Sequence, residues 1–346
     1  MKDSQQRREG AREAAGEMSS ESSKPPVAAV DFGGTNIRTA IVHGDGSIHG
    51  SNFERTEGTQ GPESVLRRVG DSIQSSLDKV GTQAGELAAI GVAAPGPLDF
   101  RRGIVLEAPN IPGFENVDVA GPLARRFGAP AFLGNDANLA ALAEHEHGAG
   151  RGVGNMVYVT VSTGVGGGVL VNGELLLGAT GNAGEVGHMT VDLHGERHNC
   201  GNIGCVEGLA AGGGMADYAR RQVEAGRSSS LGEILVKNGS LSGKDVVDAA
   251  SAGDPLGQET LRRGVEALAA GFVSFIHVLN PELIVVGGGV TRAGDMLFEP
   301  LRRIVFERLM PGFGENLRIV PWTLGENVGI LGAAAWAHRM LRPRGG

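Results

Sequence analysis

Cysteine is nearly absent: Cys200 and Cys205 are the only two among 346 residues. That count excludes a disulfide scaffold. Residues 1–26 contain no Val, Ile, Leu, Phe, Trp or Tyr, so they lack the apolar core of a secretory signal. They also lack the apolar periodicity of a DNA-reading helix-turn-helix and read as a disordered, charged leader. No run is fit to cross a membrane. Of two uncharged stretches, 155–173 holds five glycines, and 267–281 is only fifteen residues long and ends at a proline, which suits a buried helix. Positive charge is in deficit: 31 Lys and Arg against 39 Asp and Glu leave a net charge of -8, which argues against nucleic acid as the main partner. The expectation is a cytoplasmic protein with no membrane or nucleic-acid partner.

Glycine, in contrast, is in excess. There are 58 in the chain, more than twice the usual share of about 7%. Such an excess means many tight turns and close backbone approaches, as phosphate and sugar sites use. The length suffices for two lobes with their own cores. Order is expected from Val27, with a strand, a glycine turn, a second strand, an Asp45-Gly46 hairpin and the start of a third strand. Val65, Leu66, Val69, Ile73, Leu77 and Val80 fall at helical spacing over 62–80. A buried strand at 87–93 ends in the loop Pro95-Gly96-Pro97, and 109–117 reads as irregular. A short helix to Phe127, a strand at 131–133 and a helix over 137–147 follow. From Asn155 a second hairpin echoes the first, a weak internal repeat. After a glycine turn at 212–214, helices are expected at 215–225, 243–252 and 254–279. A strand at 283–288, a helix at 295–309, a strand at 317–321 and a helix from 327 to 341 complete an α/β alternation.

The chemistry concentrates in 182–208. His188, His198, Cys200 and Cys205 offer the ligand types and number of a closed tetrahedral zinc site, with Gly195, Gly201 and Gly204 allowing them to converge. The alternatives are two free thiols or a small disulfide loop. A metal here would be structural and would fix the loop bearing Glu185 and Glu207, while His188 could offer its second ring nitrogen to a substrate hydroxyl. In DFGGTNIR, the Gly33 and Gly34 amides and the Thr35 hydroxyl can meet phosphate oxygens, and Asp31 can hold magnesium or its waters. STGVGGG, with Thr163 and Gly164, repeats the device; neither copy matches a P-loop or dinucleotide fingerprint. Asp136 follows a strand end, where it can cap the next helix or take the proton of a substrate hydroxyl, and the roles are compatible. Asn110 and Asn135 suit either loop turns or sugar hydroxyls.

With these residues in place the chain, from Val27 to its end, resembles the ROK family of sugar kinases and sugar-responsive repressors. The most specific likeness is GEVGH followed by HNCGNIGCVE, and within the family it is nearest to bacterial ATP-dependent glucokinases. The resemblance implies a two-lobed actin-like ATPase fold of the hexokinase, ribonuclease H-like type. Its small lobe would be 27–135 with 326–346, and its large lobe 136–325 with a zinc-binding loop at 185–207. It implies Asp136 as catalytic base and Asn110, Asn135, Asp136, Glu185, His188 and Glu207 as sugar ligands. The turns at Thr35 and Thr163 would take the ATP phosphates with Mg²⁺, and Gly288 and Gly289 the adenosine side. Zinc would lie on His188, His198, Cys200 and Cys205, His198 standing where the family has cysteine. The expected reaction is phosphorylation of glucose at its 6-hydroxyl, a step of glycolysis, in a homodimer or homotetramer whose final helix returns to the first lobe. N-acetylglucosamine, N-acetylmannosamine or fructose kinases and a sugar-sensing regulator are the alternatives.

Overall fold

The computed structural model describes residues 25–108 and 111–342; Asn110 and nearly all of the expected leader lie outside them. The chain divides into two compact units, one running to Ala143 and resuming at Glu326, the other spanning Glu144–Gly325.

In unit one, β1 (Val27–Phe32), β2 (Asn36–Val42) and β3 (Ile48–Arg55) form a meander. β1 is buried except at Asp31, whereas β3 alternates between half-buried and exposed residues, as an edge strand does. α1 (Pro62–Val80) opens on proline, stops at the left-handed Gly81 and buries Val65, Val69, Ile73 and Leu77. Next comes the fully buried β4 (Ala89–Ala94). β5 (Leu98–Asp99), β6 (Ile104–Glu107) and β7 (Glu115–Asp118) then make a small antiparallel sheet of their own. Its last strand lies in the stretch expected to be irregular. The adjoining Phe114 is buried against Phe32, with ring centroids 5.4 Å apart. α2 (Ala120–Phe127), β8 (Ala131–Asn135) and α3 (Asp136–His147) follow. The main sheet has the order β3-β2-β1-β4-β8, antiparallel in the meander and parallel from β1 through β4 to β8. The contact boundary falls inside α3, so Asp136 groups with unit one, where the sequence reading had begun the second lobe.

Unit two repeats this plan. β9 (Met156–Val161), β10 (Val165–Val171) and β11 (Glu174–Leu175) form its meander. The helices α4 (Val206–Ala210), α5 (Gly212–Glu224), α6 (Ser230–Asn238), α7 (Gly243–Ser251) and α8 (Pro255–Leu279) follow. β12 (Leu283–Gly287), α9 (Asp295–Arg308) and β13 (Arg318–Pro321) complete it. The order β11-β10-β9-β12-β13 matches unit one strand for strand, again antiparallel in the meander and parallel beyond it. The uncharged stretch 267–281 is the C-terminal half of α8 and its stop. Among the described residues no helix is long and apolar enough to span a membrane.

Three helical features depart from the sequence reading. α5 begins at Gly212, where a turn to 214 was expected, and α4 and α6 were not foreseen. α6 depends on a partner distant in sequence. The Asp254 carboxylate accepts from the Ser229 and Ser230 hydroxyls and the Ser230 N–H, and also caps α8 through the N–H groups of Leu256 and Gly257. Burial opposes ionisation of Asp254, but these donors prevail and hold its pKa at about 2.

The fully buried Glu144 ends the fold of unit two by accepting from the N–H groups of Ala149, Thr323 and Leu324 and from the Thr323 hydroxyl. α10 (Val328–Leu341) belongs to unit one, where the Trp336 indole N–H donates to the Leu133 carbonyl at 3.1 Å. Each unit has its own apolar core, around Ile73, Ile90 and Leu133 in the first and Leu268, Phe272 and Ile284 in the second.

Candidate active site

The β1–β2 turn is closed by a bond from the Gly33 N–H to the Asn36 carbonyl at 2.9 Å. Thr56 braces it, donating its N–H to the Thr35 carbonyl and its hydroxyl to the Gly33 carbonyl. Thr35 is left exposed at the tip. Asp31, one residue before the end of β1, pairs in register with Arg38. Burial raises the Asp31 pKa, and the Arg38 charge only partly opposes this. The first turn of α10 comes so close that a Cβ on Gly329 would lie 2.5 Å from the Asp31 carboxylate. A half-buried acid whose poorly hydrated carboxyl is hard to ionise suits a divalent cation or its waters, so the donor fits magnesium.

This geometry gives Asp31 a definite effect on stability. Its raised pKa means that the folded state holds the proton more tightly than the unfolded chain does. Its contribution is favourable below the ordinary carboxylate pKa and is lost as pH rises through the raised value. Asp31→Asn should therefore raise the Tm in magnesium-free buffer near about pH 7.5, with the gain fading towards about pH 4. Thermal melts across that range check it; an unchanged Tm at the upper end would contradict the burial argument.

At the head of α3 the capping role falls to Asn135, not Asp136. The Asn135 Oδ1 accepts the Asn138 N–H at 3.1 Å, in the position of an N-cap. Asp136 is the first helical residue, exposed, with Oδ1 accepting the Ala137 N–H at 2.7 Å.

In unit two, Thr163 and Gly164 form the tip between β9 and β10, closed by the Ser162 N–H on the Gly164 carbonyl at 2.8 Å. The Gly212 N–H holds the Ser162 carbonyl at 2.7 Å, and the Gly213 N–H the Thr163 carbonyl at 3.3 Å. Gly288 packs against the same strand end, since a Cβ there would lie 2.4 Å from the Val161 carbonyl oxygen. Thr163, Gly164, Gly288 and Gly289 thus sit together. Gly212 and Gly213, expected from the sequence only as a turn, join them through their bonds to the Ser162 and Thr163 carbonyls.

The four metal-ligand candidates do converge: one ligand atom each from His188, His198, Cys200 and Cys205 lies within 4.8 Å of the others. The Cys200 and Cys205 Sγ atoms are 3.9 Å apart, and His198 Nδ1 is 3.3 Å from Cys200 Sγ. Two sulfurs bound tetrahedrally at about 2.3 Å would stand about 3.8 Å apart, whereas a disulfide would need about 2.0 Å. The cysteines are free, and the spacing fits zinc. His188 Nδ1 adds to the fit: it is buried and has no hydrogen-bond partner. Asn202 supports the knot by donating to the His188 carbonyl at 2.8 Å.

Glu185 and Glu207 flank this knot. Glu185 Oε2 lies 3.8 Å from His188 Nε2, and burial raises the Glu185 pKa, opposed by His188 and reinforced by Glu207. Glu207 Oε2 accepts the Val165 N–H at 2.7 Å, and Oε1 lies 3.8 Å from His198 Nδ1.

Known proteins share this plan. The glucokinase of Thermotoga maritima is 38% identical over 306 residues, covering 88% of this chain and 95% of its own. The ROK hexokinase of Thermus thermophilus superposes with a TM-score of 0.78 at 32% identity, over 91% of this chain and 99% of its own. A ROK family glucokinase from Streptomyces griseus, solved in complex with glucose and AMPPNP, does so with a TM-score of 0.74 at 29% identity, over 91% and 99%. The ROK family model matches residues 27–340, and with its paired sheets, glycine turns and GEVGH segment this chain belongs to the ROK family and has its actin-like ATPase fold.

Proposed function

We propose that this protein is an ATP-dependent glucokinase, which transfers the γ-phosphoryl group of ATP to the 6-hydroxyl of glucose. The observation that carries the reading is the likeness, over nearly the whole of both chains, to a glucokinase solved with glucose and AMPPNP. Asp136 takes the proton of the 6-hydroxyl as that oxygen attacks the γ-phosphorus, and the P–O bond to ADP breaks. Asn135, Glu185, His188 and Glu207 receive the other hydroxyls, as does Asn110, which lies outside the described residues. The amides of Gly33, Gly34 and Gly164 and the hydroxyls of Thr35 and Thr163 hold phosphate oxygens, with Gly288 and Gly289 towards the adenosine.

Magnesium, when bound, neutralises phosphate charge; Asp31 would hold it or its waters. His188, His198, Cys200 and Cys205 would hold a zinc ion whose work is to order the loop around Glu185 and Glu207, since four protein ligands leave no open position. Ligation through Nδ1 would leave His188 Nε2, the nitrogen nearer Glu185, for a sugar hydroxyl. A cytoplasmic place in glycolysis and a dimer or tetramer complete the proposal.

A coupled ADP-release assay over glucose, mannose, fructose, N-acetylglucosamine and N-acetylmannosamine tests it. The highest kcat/KM is expected for glucose; a clear preference for another sugar reassigns the substrate. No ADP release with any sugar, combined with sugar-sensitive retardation of DNA in a gel, would replace the kinase by a regulator.

A further inference from the structure

We infer that Glu207 is a positioning residue that locks the Thr163 turn to the metal knot, so that the metal governs triphosphate binding as well as sugar binding. The inference rests on the assignment of that turn to phosphate made above. A single segment, Cys205–Gly213, connects the two places. Cys205, a metal-ligand candidate, caps α4 with its Sγ, which accepts the Gly208 N–H at 3.4 Å. Glu207, in the first turn of α4, accepts the N–H of Val165, the residue that follows the turn. Gly212 and Gly213, just beyond α4, take the Ser162 and Thr163 carbonyls. Three main-chain groups of the turn are therefore satisfied by one stretch of chain.

Two further observations make that stretch dependent on its anchor. α4 has only five residues, too few to be stable on helix formation alone. It has to be held at its ends, and its N-terminal holder is Cys205. Glu207 is also docked without slack: a Cβ on Gly164 would lie 2.5 Å from Oε2, so a side chain at 164 and the carboxylate compete for one space. Since Oε2 serves Val165, Oε1 is the oxygen left for a sugar hydroxyl. A residue acting only on the sugar would leave nucleotide binding untouched, and that difference is measurable.

The test is binding of the fluorescent analogue TNP-ATP, without sugar, to the wild type, Glu207→Ala, Glu207→Gln, Gly164→Ala and chelator-stripped wild type. Hydrogen exchange of the peptide containing Val165 is followed in parallel. Glu207→Ala, Gly164→Ala and the stripped protein should each bind about tenfold more weakly, the loss expected for a hydrogen bond to a charged group. Glu207→Gln keeps an acceptor for the Val165 N–H and should recover most of the affinity. Affinities within about twofold of the wild type throughout, with glucose binding weakened, would overturn the inference and leave Glu207 as a sugar ligand only. If the wild type binds no TNP-ATP, the phosphate assignment fails instead. The locking is then decided by exchange at Val165, which speeds up in Glu207→Ala and on stripping if it holds and stays unchanged if it does not.

Discussion

Asp136→Ala is expected to lower kcat by about 10²-fold or more while glucose affinity changes little, because a general base typically contributes that much. The structure makes this a clean experiment. Asn135 caps α3, so removal of the neighbouring carboxylate leaves the helix start intact, and lost turnover is not lost folding. Asn135→Ala is the contrasting variant: it deletes the cap and should cost about 1 kcal/mol of stability. Steady-state kinetics, calorimetric glucose binding and thermal melts on the two variants separate the effects. If Asp136→Ala keeps more than about a tenth of wild-type kcat, the base lies elsewhere.

Cys205→Ser, or removal of metal by a strong chelator, is expected to abolish glucose binding while leaving the two sheets folded. Structural zinc contributes about 10–16 kcal/mol to the folding of small zinc-binding peptides, against about 5–15 kcal/mol for the stability of whole domains. Even part of that contribution would decide whether 185–207 is ordered. Among the described bonds this loop is held mainly by turns and short bridges, Thr190 to Cys205 and Arg197 to Ile203. Cys205 is fully buried and also caps α4, so its loss should be the more severe of the two cysteine variants; Cys200 is exposed. Elemental analysis, far-UV circular dichroism and calorimetric titration with glucose check the expectation. Undiminished glucose affinity in metal-free protein would refute it.

What could be read directly was whatever a short window of sequence contains. The apolar runs of β1, β4, β9 and β12 mark central buried strands, and α1 and α8 carry both their periodicity and their stop signals. The convergence of His188, His198, Cys200 and Cys205 was legible for the same reason, since the four are crowded into one loop and their side chains restrict the metal that would fit. What was missed depends on partners far away in the chain. α6 is capped with the help of Asp254, which no window around 230–238 contains. The strands β5 to β7 are too short to show a pattern and exist through pairing. Glu207 was expected as a sugar ligand, but its bond from the Val165 N–H, 42 residues earlier in the chain, lies outside any short window. Between Asn135 and Asp136, both good capping residues, only geometry could choose.

The matched strand order of the two units invites a comparison of equivalent places. Asp31 in β1 stands opposite Arg38 and Ala93, and the residue in the same place in β9 is Thr160, opposite Gly166 and Gly287. The first unit has an acid and a base there, whereas the second has neither charge. At this register position the two units therefore differ in kind: a cation would meet a carboxylate in the first, whereas the second offers an uncharged hydroxyl between two glycines.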